Sequence, residues 1–129
     1  MERWKQRLGD FKKAHVKLQE GLNRSEIDEL IRDAIIKRFE FTFELAWKTL
    51  KDYLEEHGVM DAANPKKVIR KTFQEYLLIN DEIWLKMLED RNTLSHNYNQ
   101  KMSESIYVNI KENYCQALGD LITTLEKEL

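Results

Sequence analysis

The sequence predicts an all-α protein, an antiparallel up-and-down four-helix bundle with one additional short helix. Four Gly and one Pro in 129 residues are too few for the turns of an all-β fold. Apolar residues recur at spacings of three and four along most of the chain, which is the period of an amphipathic helix. Five such segments are separated by short connections, so we expect neighbouring helices to pack antiparallel.

The first two helices are predicted from their apolar stripes. A first helix covers residues 2–22. A second, long helix follows Ser25, which together with Asp28 resembles a capping arrangement, and runs to His57, where Gly58 ends it. The stripe of the first helix consists of Trp4, Leu8, Phe11, His15, Leu18 and Leu22.

The remaining helices are predicted from capping residues that precede apolar stripes. Asn64–Pro65 supplies a cap and a first-turn proline for a short third helix through about residue 77. Asn80 or Asp81 caps the fourth helix, and Ser103 is expected to cap the last one. The stripe of the last helix consists of Ile106, Ile110, Tyr114, Ala117, Leu118, Leu121, Ile122 and Leu125.

Composition and charge narrow the class of protein. The chain is 42% hydrophobic and 34% charged, which suits one domain over residues 1–129 with its own core. The net charge of −2 supplies no global cationic field, so nucleic-acid contact must come from a local patch or an oligomer cleft. The sequence has no recognisable signal peptide and no run of about 18 apolar residues, so we expect a cytoplasmic protein without a membrane span.

The cysteine and histidine pattern favours neither a metal site nor a cysteine nucleophile. The single Cys115 is expected to be a small buried apolar residue, because no local His or basic neighbour would lower its pKa. His15, His57 and His96 lie far apart, and the sequence has no Glu-x-x-His motif of the kind that di-iron bundles use. We therefore expect no metal and no cofactor.

An aromatic segment in the second helix favours core packing. Phe39, Phe43 and Trp47 follow one another at intervals of four, which places them on one helix face. Phe41 and Leu45 fall on a different side, so this helix is expected to present apolar surface to a partner as well.

Charged residues in the same segment also repeat at four. Glu40, Glu44 and Lys48 share one face of the predicted helix. We interpret them as an ion ladder on a solvated or interface face rather than as a pair of acid and base catalysts.

The segment Asp90–Tyr98 carries the residues best suited to chemistry. The guanidinium of Arg91 can bind a phosphate through parallel charge-assisted hydrogen bonds. The imidazole of His96 can donate or accept a proton at neutral pH. Together they could cleave RNA without a metal, since the imidazole would assist the ribose 2′-hydroxyl or protonate the leaving oxygen while the guanidinium stabilises the transition state.

The spacing of the two residues sets a geometric constraint. Five positions correspond to about 140° around a regular helix, so Arg91 and His96 would not converge on one straight helix. Either the helix ends or kinks before His96, or a two-fold dimer brings two motifs together. A structural alternative also stays open, in which Arg91 pairs with Glu89 or a neighbouring helix and His96 caps a helix end.

Arg91–His96 has the form R-N-x-x-x-H and resembles the motif of the HEPN superfamily (higher eukaryotes and prokaryotes nucleotide-binding). The longer form R-x-x-x-x-H-x-Y, ending at Tyr98, with residues 39–48 (FEFTFELAWK) upstream, is similar to the bacterial branch of nucleotidyltransferase substrate-binding proteins. The resemblance covers essentially the whole chain, and the motif shows no departure from the family's pattern.

The resemblance implies a HEPN-like bundle, a homodimer and a minimal nucleotidyltransferase partner. In such a toxin and antitoxin pair the HEPN protein is a metal-independent endoribonuclease acting on RNA. Arg91 and His96 would then be catalytic, and Asn92 would support them. The partner would transfer AMP from ATP to Tyr98 and thereby inactivate the ribonuclease. An alternative is that the protein is a non-catalytic subunit that presents a substrate or nucleotide to the transferase.

Overall fold

The computed structural model describes residues 2–96 and 99–129 and, within them, contains only helices as regular secondary structure. The elements are α1 (Arg3–Leu22), α2 (Glu29–Glu56), α3 (Pro65–Tyr76), α4 (Asp81–His96), α5 (Gln100–Asn109), a π-helical turn (Ile110–Tyr114) and α6 (Cys115–Glu126). α5, the π-helical turn and α6 follow one another without a break, so they form one continuous helical run.

The packing confirms the predicted all-α bundle with an additional short helix. α1 lies along α2 over most of its length, and α6 packs on α1. α5 packs on α2, and α4 contacts the π-helical turn. The short α3 connects α2 to α4 by packing on both. None of the described helices combines the length and apolarity needed to cross a membrane.

Aromatic rings join three of these elements in the core. Phe39 stacks on Tyr114 of the π-helical turn, with the ring centroids 5.4 Å apart. Phe43 lies 6.0 Å from Trp84 of α4 by the same measure. All four residues are almost completely buried, so the prediction of core packing is confirmed for Phe39 and Phe43. Trp47, predicted on the same face, is only partly buried and packs against the core. The rings fix α2 against the helix that carries the candidate motif.

The second helix begins at a different cap from the one expected. The side chain of Asp28 accepts a hydrogen bond from the backbone N–H of Ile31 at 2.8 Å, and α2 starts at the next residue. Asp28 is therefore the cap itself rather than an acidic residue inside a first turn that follows Ser25. Gly58, with a φ of 87°, follows the end of α2 as expected.

Two further caps agree with the sequence, and the last does not. Oδ1 of Asn64 accepts a hydrogen bond from the backbone N–H of Lys67 at 3.0 Å. Oδ1 of Asn80 accepts one from the backbone N–H of Glu82 at 3.0 Å. The expected cap at Ser103 is wrong, because Asn99 caps α5 by accepting from Met102 at 2.9 Å. Ser103 lies one turn later, with its side chain buried. Residues 99–101 are all polar, so the apolar spacing that predicts helices does not reveal this additional turn.

The cap of α5 can be tested by unfolding. We expect Asn99→Ala to lower the free energy of unfolding by about 1 kcal/mol, because the first-turn N–H groups lose their side-chain acceptor. Asn99→Asp is the matched control, since aspartate caps as well as asparagine. Urea denaturation measures both, and an unchanged midpoint for Asn99→Ala would contradict this assignment.

Candidate functional site

Arg91 projects from α4 towards α2. Its Nη2 lies 2.8 Å from Oε2 of Glu44, and both side chains are about one third exposed, at 29% and 31%. The ion pair joins residues that are 47 positions apart in the chain. This contact is the structural alternative in which Arg91 pairs with a neighbouring helix. Glu44 contacts Nη2, so the other N–H donors of the guanidinium do not bind Glu44.

Glu44 is the centre of a group of donors on one face of α2. Oε2 of Glu44 accepts a hydrogen bond from the indole N–H of Trp47 at 3.0 Å, and Oε1 lies 3.2 Å from Nζ of Lys48. Partial burial would raise the pKa of Glu44. The hydrogen bonds from Trp47 and Lys48 and the charges of Arg91 and Lys48 outweigh burial and hold the pKa of the carboxyl below its ordinary value.

Sequence reasoning missed Glu44 as a site residue. The spacing of Glu44 and Lys48 predicted an ion ladder, and their ion pair confirms that part of it. The contact with Arg91 depends on how α2 and α4 are rotated towards each other, which helical spacing does not contain. The available signal was the aromatic segment itself, in which a carboxylate stands among large apolar residues.

Asp90, the residue before Arg91, anchors α4 to the π-helical turn. Its Oδ2 accepts hydrogen bonds from the amide of Asn109 at 3.0 Å and from the phenol of Tyr114. Burial raises the pKa of Tyr114, and the hydrogen bond to Asp90 and the charge of that carboxylate raise it further. Tyr114 therefore stays protonated as a donor, and this anchor fixes the rotation of α4 next to Arg91.

The structure does not bring Arg91 and His96 together within one chain. α4 is regular up to His96, its last residue, so the expected end or kink before His96 is not found in the described helix. Arg91 faces Glu44 on α2, whereas exposed His96 lines a cleft between α3 and α4. The remaining geometric option from the spacing is that a second copy of the chain completes the site.

The cleft beside His96 has a volume of about 520 Å³ and is lined by two helices. α4 contributes a stripe that includes Asn92 and ends at His96. α3 contributes two cations on successive turns, and Glu89 is the acidic residue of the lining. The full lining is Lys66, Arg70, Leu85, Leu88, Glu89, Asn92, Thr93 and His96.

The motif residues thus occupy different places. Asn92 is exposed and lies in the cleft with His96 rather than beside the Arg91 ion pair. Tyr98 lies outside the described residues. Among the residues that the structure does describe, no group of three or more histidine, cysteine or carboxylate side chains is arranged to bind a metal ion.

Cys115 has a histidine neighbour that the sequence did not indicate. Nε2 of His15, on α1, lies 3.6 Å from Sγ of Cys115 and 2.9 Å from its carbonyl oxygen. The expectation rested on local neighbours, whereas packing brings His15 from 100 positions away. Cys115 is also partly rather than fully buried. Burial nevertheless raises the pKa of the thiol, which agrees with an unreactive cysteine.

Comparison with known proteins finds a family and a relative whose sequences match this chain. The family model described as nucleotidyltransferase substrate binding protein like matches residues 6–127. A probable ribonuclease HepT from Haemophilus influenzae Rd is 29% identical over 89 residues, which cover 66% of this chain. The alignment spans 60% of that relative's own length.

A solved structure has the same fold. The crystal structure of a protein from Thermus thermophilus superimposes with a TM-score of 0.79 and 33% sequence identity. The match covers 89% of this chain and 98% of that one. The helical architecture described above is therefore shared along nearly the whole of that protein.

The lowered pKa of Glu44 predicts how its contribution to stability depends on pH. A carboxyl with a lowered folded pKa contributes stability above its ordinary value of 4.5 and loses it as the pH falls through the folded value. We expect Glu44→Gln to be less stable than the natural protein at neutral pH, and the difference to shrink below about pH 4.5.

Urea unfolding at a series of pH values from 7 to 3 measures this difference. Glu40→Gln is the matched control, because Glu40 lies one turn earlier on α2 and forms no ion pair with any described residue. A difference between Glu44→Gln and the natural protein that persists unchanged at pH 3 would contradict the assignment.

Proposed function

Since the chain belongs to the family of nucleotidyltransferase substrate-binding-like proteins, we propose that it is a metal-independent endoribonuclease of the HEPN type. The observation that carries the proposal is the presentation of two catalytic residue types by one helix. α4 carries Arg91, which is held by an ion pair at 2.8 Å with Glu44 of α2, and ends at exposed His96 in a cleft with two cations. The Haemophilus relative, itself named a probable ribonuclease, supports the same conclusion.

The proposed reaction is the transesterification that RNA undergoes without metal ions. The ribose 2′-oxygen attacks the adjacent phosphorus, and the bond from phosphorus to the 5′-oxygen breaks. The products are a 2′,3′-cyclic phosphate and a free 5′-hydroxyl. The 2′-hydroxyl loses a proton and the leaving 5′-oxygen gains one, and His96 carries out one of these two transfers while water carries out the other. DNA is not a substrate because it lacks the nucleophile.

Arg91 stabilises the charge that develops on the phosphoryl oxygens. The carboxylate of Glu44 engages Nη2 of Arg91, so the rest of the planar guanidinium can donate to phosphate. Glu44 itself is held by Trp47 and Lys48, which limits the conformations of the Arg91 side chain. Asn92 supports the site from the cleft, one residue along the helix.

The complete site is proposed to form in a homodimer. Because Arg91 and His96 face different sides of α4, a two-fold axis is needed to bring residues of both copies around one phosphate. Phe41, which is 61% exposed on α2, lies one turn from Glu44 and is our candidate for the dimer contact. Dimerisation would also bring cationic side chains of both copies into one cleft, although each chain has a net charge of −2.

We further propose that a minimal nucleotidyltransferase regulates the enzyme as an antitoxin regulates a toxin. Its target is Tyr98, two residues after His96. Transfer of AMP from ATP to the phenol oxygen releases pyrophosphate and leaves a bulky, negatively charged phosphodiester on Tyr98. The modification would block the site and repel an RNA phosphate.

A second candidate function is favoured by the description of the family, which names substrate binding. In this case the protein is a non-catalytic subunit that presents a substrate or nucleotide to the transferase from the same cleft. It predicts partner or nucleotide binding without RNA turnover. Titration calorimetry with the transferase and with ATP tests it, and absence of binding to both would exclude it.

Catalysis is tested with purified, unmodified protein and single-stranded RNA in the presence of EDTA. We expect Arg91→Ala and His96→Ala each to lower the cleavage rate by about 10²- to 10⁴-fold, because each removes a group that acts in the transition state. Lys86→Gln, an exposed substitution on α4 outside the cleft lining, is expected to cleave normally. Cleavage by both alanine variants at the natural rate would exclude this role.

Modification is tested by intact mass after expression with and without the transferase. We expect one or more AMP increments that map to the peptide containing Tyr98, together with loss of RNA cleavage. Tyr98→Phe is expected to escape both effects. An unchanged mass accompanied by a tight complex would favour the subunit function instead.

A further inference from the structure

We propose that Lys66 and Arg70 of α3 form a binding track for the phosphodiester backbone of single-stranded RNA that leads to His96. The inference rests on the proposed function and names the substrate-binding residues outside the motif. Lys66 and Arg70 are one helical turn apart, and both line the same side of the cleft. They face Asn92 and His96 across it.

The charges of the cleft favour an anionic ligand. Lys66 and Arg70 are exposed, and within the described residues neither forms an ion pair. Glu89 is the lining carboxylate, so the cleft keeps an excess of one positive charge before protonation of His96 is counted. In a chain with a net charge of −2, this is a local departure from the overall sign. An arginine and a lysine also give the two modes of phosphate contact, bidentate and point charge.

The shape of the cleft favours a strand over an isolated phosphate. The lining stripe of α4 extends from Leu85 to His96, which is roughly 16 Å of helix at 1.5 Å per residue. This length accommodates more than one nucleotide. Partly buried Leu85 gives the far end an apolar contact for a base, while the amide of Asn92 can hydrogen-bond to a base or sugar. A duplex would present its bases stacked inside instead.

Binding is measured by fluorescence anisotropy with the natural protein and a fluorescein-labelled single-stranded 2′-O-methyl RNA, which cannot be cleaved because its nucleophile is blocked. We expect Lys66→Gln/Arg70→Gln to weaken binding by about tenfold or more at moderate salt. The slope of log affinity against log salt should become shallower by about 0.7 for each phosphate that the variant no longer neutralises. Lys67→Gln/Lys86→Gln is the matched control, because both lysines are exposed outside the cleft lining and the pair of substitutions removes the same two positive charges.

The outcomes separate this inference from the proposed function. Unchanged affinity and salt slope in the double variant, with unmodified RNA still cleaved, would overturn the track and leave the ribonuclease standing. RNA binding that depends on both cations without any cleavage would support the track and exclude the ribonuclease. Loss of transferase binding instead of RNA binding would reassign the cleft to the partner protein. Equal losses of affinity in Lys67→Gln/Lys86→Gln and in Lys66→Gln/Arg70→Gln would show that only the net charge of the protein matters and would overturn the track.

Discussion

The pitch of α4 determines the layout of the candidate site. A regular helix separates Arg91 from His96 by about 140°, and α4 keeps its regularity to its last residue. The two side chains therefore contact different neighbours: Glu44 on α2 for Arg91, and the cleft beside α3 for His96. The rotation that aims each of them is fixed by buried contacts, namely the hydrogen bonds of Asp90 to Tyr114 and Asn109 and the packing of Trp84 on Phe43. This divergence is the reason that we propose a second copy of the chain to complete the site.

Electrostatics give the two sides of α4 different properties. On the α2 side, the charge of Arg91 is balanced by the carboxylate of Glu44. Glu44 also accepts a hydrogen bond from the indole of Trp47 and pairs with Lys48, so the charges lie within one compact group. On the α3 side, Lys66 and Arg70 have no such compensation among the described residues, and one glutamate lies with them. A held guanidinium and an uncompensated cationic cleft serve different purposes. The first suits the transition-state role that we propose for Arg91, and the second suits the polyanion that we propose as its ligand.

Much of the fold could be predicted because helical periodicity and capping are local properties. The long α2, the Asn64–Pro65 start of α3 and the burial of Phe39 and Phe43 followed from spacing and residue type alone. The start of α5 did not, because asparagine and serine both cap helices and the extra turn before Ser103 is mostly polar. The π-helical turn was also missed. Its residue Tyr114 contacts Asp90 and Phe39 on two other helices, and such long-range contacts are not visible in local spacing.

The sequence by itself determined the helical class, the family resemblance and the identity of Arg91 and His96 as the residues suited to chemistry. These conclusions depend on residue types and on spacing along one chain. Only the tertiary structure decided that Arg91 pairs with Glu44, that His96 shares a cleft with Lys66 and Arg70, and that His15 approaches Cys115. An apolar stripe specifies which face of a helix turns inward, but it does not specify the neighbouring helix or the relative rotation of the two. Those follow from packing of the whole core at once.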